Sequence, residues 1–371
     1  MTDRAQDTRF MALALNIGRR GLGRTWPNPA VGAVIVRTDG PAPIIVGRGW
    51  TQPGGRPHAE IEALRRAGAA ARGATLYVTL EPCSHDGKTP PCANAAIAAG
   101  IVRVVSAIED PNPQVLGAGH ARLGAAGIAV EVGLGAEEAR RDHAGHIRRM
   151  RDGRPHVMLK LAVSADGKVG ASGRRPAQIT GEATRERVHL MRARSDAIMV
   201  GVGTALADDP MLNCRLPGME KNSPVRIVVD SALRLPLGSR LVRSARETPV
   251  WVIAAGEAPQ PAAAALQEQG VEVLRSAGTG GRLDLAAVLK LLAARGITRL
   301  MVEGGPTLAA ALLSADLVDE AELFHSSVVL GPEGIDALEG LPLTALTQSP
   351  RLKAVSSAAI GVDRQEVFER G

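Results

Sequence analysis

Cysteine is scarce, with three residues in a chain of 371, at positions 83, 92 and 214. So few, so unevenly spaced, exclude a disulfide framework, and Cys83 with Cys92 is better suited to thiolate chemistry or metal ligation. Aromatic residues are also rare: three Trp, one Tyr and three Phe leave little from which to build the stacking platforms that hold single-stranded nucleic acid. No stretch approaches the ~18 apolar residues of a membrane span. The N-terminus MTDRAQDTRF has no apolar core ahead of a small-residue cleavage site. A cytoplasmic protein with no membrane partner is therefore expected.

Lysine is nearly absent. Of the 44 basic residues 38 are arginine, and the net charge is +6. No contiguous basic run exceeds a few residues, so this reads as a solvated surface rather than a nucleic-acid interface, and nucleic acid is not an expected partner.

What is present is an α/β alternation. A helical pattern near Arg9 to Arg19 precedes an apolar run at Val31 to Val36, a helix from His58 to about Ala70, a strand at Thr75 to Thr79 and a helix from Cys92. A further βα pair follows at Arg103 to Ala107 and Gly119 to Ala126. Ala136 to Met150 reads as one charged helix, and Gly153 and Pro155 punctuate the chain after it, which puts a domain boundary near residue 150. Beyond lie apolar strands at Val157 to Val163, Ala197 to Val200, Val225 to Val229, Val250 to Ile253 and Leu300 to Val302. Two domains, both α/β, are expected.

The most informative order of residues is Pro57-His58-Ala59-Glu60, then Glu81-Pro82-Cys83, then a loop through His85 and Lys88 to Cys92. A lone histidine at a helix start, or a lone buried cysteine, carries no such meaning. Together they follow the order of the zinc deaminase signature, H-x-E then P-C-x-x-C, with the second cysteine displaced to nine positions after the first. His58, Cys83 and Cys92 would hold zinc and leave a fourth position open for water, and Glu60 would shuttle the proton.

The motifs together resemble the bifunctional riboflavin-biosynthesis deaminase/reductase family over nearly the whole chain. They include Thr25-Trp26-Pro27-Asn28-Pro29-Ala30-Val31-Gly32, His58-Ala59-Glu60, the Cys83 to Cys92 loop and Asp110-Pro111-Asn112-Pro113 in the first half. Leu159 to Gly167, Gly201 to Pro210 and Val302-Glu303-Gly304-Gly305-Pro306-Thr307-Leu308 carry it in the second. The resemblance implies a cytidine-deaminase-like zinc-dependent domain over 1–149 and a dihydrofolate-reductase-like, NADPH-dependent domain over 150–371. It implies that Asn28, His85 and Lys88 hold a phosphorylated pyrimidine. In the second half it implies cofactor contacts from Ala162, Thr204, Asp208, Ser231 and the turn and helix start Gly305, Pro306, Thr307, Leu308, Ala309, Ala310 and Ala311. Substrate contacts would come from Arg192, Leu212, Arg215 and Glu303, with Lys160 nearby and the two arginines as phosphate clamps. Gly201 and Gly203 do not complete a Rossmann fingerprint, because Leu206 stands where its third glycine belongs. Gln178 occupies a place where the family commonly shows Trp, so neither it nor Pro176 is taken as a ligand.

The expected activity is deamination of a phosphoribosylated diaminopyrimidinone followed by NADPH-dependent reduction of its ribosyl group, by a homo-oligomer acting on small molecules. Two rivals share the metal reading. One is a deaminase of nucleic-acid bases, against which the second domain speaks. The other is a nonenzymatic zinc-stabilised module that binds nucleotide or RNA.

Overall fold

The computed structural model describes residues 4–85, 90–174 and 177–371. The chain divides into two compact units, Met1–Gly153 and Arg154–Gly371.

In the first unit five strands form one sheet: β1 (Gly32–Arg37), β2 (Ile44–Trp50), β3 (Thr75–Val78), β4 (Arg103–Ser106) and β5 (Ala129–Val132), in the order β2-β1-β3-β4-β5. β1 pairs antiparallel with both β2 and β3, while β3, β4 and β5 run parallel. β1 and β3 are central and covered on both faces, so their sequences GAVIVR and TLYV are buried almost throughout and show no polar alternation. The covering helices are α1 (Arg4–Gly18), α2 (Ala59–Ala67), α3 (Cys92–Ala98), α4 (Ala118–Ala125), α5 (Ala136–Asp142) and α6 (Ala144–Asp152). A buried Asp7 on α1 accepts two hydrogen bonds from Arg103, at 2.9 and 2.7 Å, and one from the Tyr77 hydroxyl. One carboxylate thereby ties α1 to β3 and β4.

The single charged helix expected over Ala136 to Met150 is instead two. The chain leaves helical geometry at His143 (φ −96°, ψ 10°), whose buried ring places Nε2 3.1 Å from Thr79 Oγ1.

The second unit is built on a nine-stranded sheet. Its strands are β6 (His156–Val163), β8 (Ala197–Gly201), β9 (Val225–Val229), β10 (Val250–Ala255), β11 (Glu272–Ser276), β14 (Arg299–Glu303), β15 (Glu320–His325), β17 (Leu352–Ile360) and β18 (Asp363–Arg370). Two short ladders, β7 (Lys168–Gly170) with β16 (Ile335–Asp336) and β12 (Gly278–Thr279) with β13 (Arg282–Leu283), stand apart from it. The order is β11-β10-β9-β8-β14-β6-β15-β18-β17, parallel except for the antiparallel hairpin β17–β18 and its seam with β15. Helices α7 (Glu182–Ala193), α8 (Val202–Asp208), α9 (Arg240–Arg243), α10 (Gln260–Glu268), α11 (Leu285–Ala294) and α12 (Pro306–Ser314) accompany it. β14 lies between β8 and β6, so the chain reaches the carboxyl ends of three neighbouring parallel strands in three separate passes. Such ends are where open α/β sheets bind ligands.

The ends of this unit meet at one residue. Asp319 accepts two hydrogen bonds from Arg154, at 2.6 and 2.8 Å, and one from the Val157 N–H at 2.9 Å, and Arg370 Nε lies 3.4 Å from its carboxylate.

Candidate active sites

In the first unit three turns deliver three donors to one point. His58 caps the N-terminus of α2 in extended conformation, Cys83 lies in the loop after β3, and Cys92 is the first residue of α3. His58 Nδ1 is 3.3 Å from Cys92 Sγ and 3.8 Å from Cys83 Sγ, and the three donor atoms all lie within 4.8 Å of one another. One imidazole nitrogen and two sulfurs is a donor set for zinc, and three protein donors match an open rather than a closed centre. The Cys92 N–H donates to Cys83 Sγ at 3.3 Å. Its hydrogen bonds, led by that with the Cys92 side chain, pull the Cys83 thiol down to about 4, while the same contact and burial hold Cys92 well above the usual thiol range. A cation bound here would take both sulfurs as thiolates.

Glu60, in the first turn of α2, is buried, and burial pushes its carboxyl up. It is not one of the three clustered donors. A buried carboxylic acid beside a cation site is suited to carrying protons, whereas an exposed one would stay ionised.

Asn28 Nδ2 donates to the Gly55 carbonyl at 2.9 Å and lies 3.4 Å from His58 Nε2. This approach requires Gly55, which has φ +85° and whose Cβ, if present, would sit 2.9 Å from the Asn28 side chain. His85 is exposed, and Lys88 lies outside the described residues.

One residue here is missed by the sequence reading. Glu81 is buried, and its carboxylate accepts four backbone N–H groups: Asp110 at 3.1 Å and Gly117 at 3.0 Å on Oε2, Gly119 at 2.8 Å and His120 at 3.3 Å on Oε1. The clamp joins Glu81-Pro82-Cys83 to the segment that begins at Asp110-Pro111-Asn112. The available signal was only an acid before Pro-Cys, with nothing to show that its partners lie about thirty residues on.

In the second unit a cleft of about 430 Å³ opens at the carboxyl ends of β6, β8 and β14. Lys160 and Ala162 from β6, Arg192 from α7, Thr204 and Asp208 from α8, Leu212, Glu303 from β14, and Gly305 to Leu308 all line it. Gln178 lines it too, beside Ile179 and Thr180, although the sequence reading set it aside; Pro176 lies outside the described residues. Ser231, Arg215, Ala309, Ala310 and Ala311 are not among the lining residues. Ala309 and Ala310 are buried in α12, and Ala311 and Arg215 are exposed.

Arg192 is engaged otherwise than as an open phosphate clamp. Its Nε and Nη2 donate to Glu303 at 2.8 and 2.7 Å, and its Nη1 donates to the Asn213 carbonyl at 3.1 Å. Lys160 Nζ is 3.9 Å from the same carboxylate. Burial alone would raise the Glu303 carboxyl, but Arg192 and Lys160 outweigh it and hold it at about 2, while burial pushes the Lys160 ammonium down. Sequence could not pair Arg192 with an acid 111 positions away.

The turn into α12 is shaped for an anion. Gly305 has φ +78°, and a Cβ there would meet Thr204 Oγ1 at 2.8 Å. Pro306 opens the helix and no side chain caps it, so the N–H groups of the first turn, which have no partner within the helix, face the turn. Volume and turn together fit a phosphate-bearing dinucleotide.

Comparison with known proteins gives a concordant picture. The family described as the RibD C-terminal domain matches residues 155–365, and the cytidine and deoxycytidylate deaminase zinc-binding region matches residues 4–108. The riboflavin biosynthesis protein RibD of Escherichia coli K12 is 42% identical, with 96% of this chain and 98% of that protein covered. RibD of Aquifex aeolicus is 39% identical over 98% of each. Among solved structures, Acinetobacter baumannii RibD (form 1) superposes with a TM-score of 0.86 at 35% identity over 100% of both chains. The diaminohydroxyphosphoribosylaminopyrimidine deaminase/5-amino-6-(5-phosphoribosylamino)uracil reductase of Thermotoga maritima does so with a TM-score of 0.84 at 33% identity over 99% of each.

Proposed function

The chain belongs to the RibD family of riboflavin-biosynthesis deaminase/reductases, and from that premise we propose how its residues divide the two reactions. It is a bifunctional enzyme that uses zinc and NADPH, with a cytidine-deaminase-like fold followed by a dihydrofolate-reductase-like one. It deaminates 2,5-diamino-6-(5-phosphoribosylamino)pyrimidin-4-one and reduces 5-amino-6-(5-phosphoribosylamino)uracil to the ribityl compound.

Deamination belongs to the first unit. His58, Cys83 and Cys92 hold the zinc, as the convergence of Nδ1 and two Sγ atoms supports. When bound, zinc supplies the Lewis acidity that makes water a nucleophile at neutral pH. Glu60 is placed to move a proton from the attacking water to the departing amino group, so that ammonia would leave while the ring carbon keeps the oxygen. Burial of Glu60 supports this role, because it brings the carboxyl closer to the working pH. Asn28, held by the Gly55 carbonyl next to His58, orients the ring, and His85 and Lys88 contact the phosphorylated ribosyl group.

Reduction belongs to the second unit. When bound, NADPH supplies the hydride that converts ribosyl to ribityl. The backbone N–H groups of Gly305, Thr307 and Leu308 would receive the cofactor phosphates, with Pro306, which has no N–H, opening the helix, and Ala162, Thr204 and Asp208 line the same cleft. Ser231 and Ala309 to Ala311 are proposed cofactor contacts on the resemblance alone. Glu303 orients the substrate from the cleft floor with Lys160 beside it; Arg192 aligns Glu303, Leu212 packs against the substrate, and Arg215 contacts its phosphate.

The observation that carries the assignment is the three-donor cluster beside a buried Glu60. Its test is to assay ammonia release and NADPH oxidation on the same His58→Ala protein. Loss of the first with retention of the second supports two separate sites, and equal loss of both rejects them.

We also propose a cytoplasmic homo-oligomer that takes no nucleic acid. No helix among the described residues is long and apolar enough to cross a membrane. Ligating thiols favour a reducing compartment. The edge strand β17 leaves seven consecutive residues exposed, and such edges are commonly covered by a partner. The shortage of aromatics supports the last point.

A further inference from the structure

His189 is half-buried on α7, one turn before Arg192, so both side chains emerge on one face of the helix. Its Nδ1 accepts the backbone N–H of Arg215 at 3.3 Å. That segment is otherwise held by Arg192 Nη1 on the Asn213 carbonyl, by the Cys214 N–H on Ser223 Oγ and by the Arg215 guanidinium on Asn213 Oδ1. The segment Asn213-Cys214-Arg215 is thus fastened to α7 by two side chains of one helix face, and one of these, Arg192, also grips Glu303.

We propose that His189 is a positioning residue of the reductase site: its neutral ring fixes the Arg215 segment on α7 and thereby sets the affinity for the phosphate of the reductase substrate. This rests on the reading of Arg215 as a phosphate contact. A ring nitrogen accepts an N–H only while it carries no proton. Burial, Arg192 and Arg215 keep the ring neutral, and they outweigh Glu303 and the Asn213 carbonyl, which favour the charged form. The charged groups that act on the ring are therefore Arg192 on α7, Arg215 in the segment and Glu303 on β14. Once protonated, the ring could no longer accept from Arg215. It would turn its proton to the Asn213 carbonyl, in competition with Arg192 Nη1, and release the Arg215 amide. The device thus loosens the segment in acid.

The test uses the full-length, zinc-loaded protein with saturating NADPH and the phosphorylated aminouracil. His189→Leu removes the acceptor, and His189→Gln supplies an amide oxygen that does not titrate. Loss of one hydrogen bond is expected to raise KM roughly three- to tenfold in the Leu variant, with little change in kcat, and the Gln variant is expected to restore it. Exchange of the Arg215 amide hydrogen should quicken in the Leu variant without substrate. The substrate phosphate itself protonates near pH ~6. The acid rise in KM is therefore read as the difference between wild type and the Gln variant, which should lack the histidine part of it. If Arg215→Met raises KM while His189→Leu leaves both KM and amide exchange unchanged, the positioning role is wrong and the phosphate reading stands. If Arg215→Met leaves KM unchanged, the phosphate reading fails and the proposal falls with it.

Discussion

Arg192 and Glu303 face each other through two parallel hydrogen bonds, Nε to Oε2 at 2.8 Å and Nη2 to Oε1 at 2.7 Å, with Lys160 Nζ 3.9 Å from the same carboxylate. Two cations on one anion leave one positive charge in excess on that wall of the cleft. The planar fork also fixes the direction of the carboxylate, which a point charge such as lysine would not.

Glu303→Gln breaks the fork and leaves two cations without their anion. The expected result is a fall in NADPH-dependent reduction of roughly 100-fold, the cost of misplacing a group in a reacting assembly, with ammonia release unchanged. Both rates are measured on one preparation. A reductase rate within a factor of two of wild type would show that the pair is structural only.

The same carboxyl gives stability a sign with pH. Its folded value of about 2 lies below the ordinary 4.5, so its contribution is present above pH ~4.5 and is lost as pH falls towards 2. The shift corresponds to roughly 3 kcal/mol at most. Urea unfolding of the second unit, followed at several pH values, should show wild type losing that advantage over Glu303→Gln across this window. Parallel pH profiles would contradict the assignment.

Glu60→Gln should keep zinc at wild-type stoichiometry and lose ammonia release by roughly 10² to 10⁴, the range for removing a general acid–base group. His58→Ala and Cys92→Ala should lose the metal as well. Elemental analysis beside the ammonia assay separates the two classes. Metal loss in Glu60→Gln would place Glu60 among the ligands instead.

Gly119→Ala tests the Glu81 clamp without touching a ligand. A Cβ at Gly119 would lie 2.0 Å from the Pro82 carbonyl oxygen, so backbone next to Cys83 must shift. The expected cost is about 1 to 3 kcal/mol of overpacking, with weaker zinc retention and slower deamination but unchanged reduction. Competition with a metal-chelating dye reads the first effect directly.

Much of the first site is legible in the sequence because its ligands flank recognisable elements: His58 caps a helix, Cys92 begins one, and Cys83 follows a wholly buried strand. What is not legible depends on distant partners. The split at His143 is invisible because α5 and α6 are both rich in charged residues, and the break is marked by the inward contact of His143 with Thr79. The hairpin β17–β18 escapes because LKAVSSAAI is exposed over most of its length and so carries no alternation. Arg192 shows the same limit in chemistry. The resemblance makes Arg192 a phosphate clamp, and only the fold shows its partner, a carboxylate on a separate strand.

Asp319 takes hydrogen bonds from Arg154 and the Val157 N–H, has Arg370 Nε 3.4 Å from its carboxylate, and offers its carbonyl to the Arg370 N–H at 2.8 Å. One carboxylate therefore stitches the first and last residues of the reductase half together. A unit whose termini are already neighbours can be reopened elsewhere: a short linker from residue 371 back to residue 154, with new ends cut at the Gly280–Gly281 turn between β12 and β13, should give a circular permutant with the same sheet.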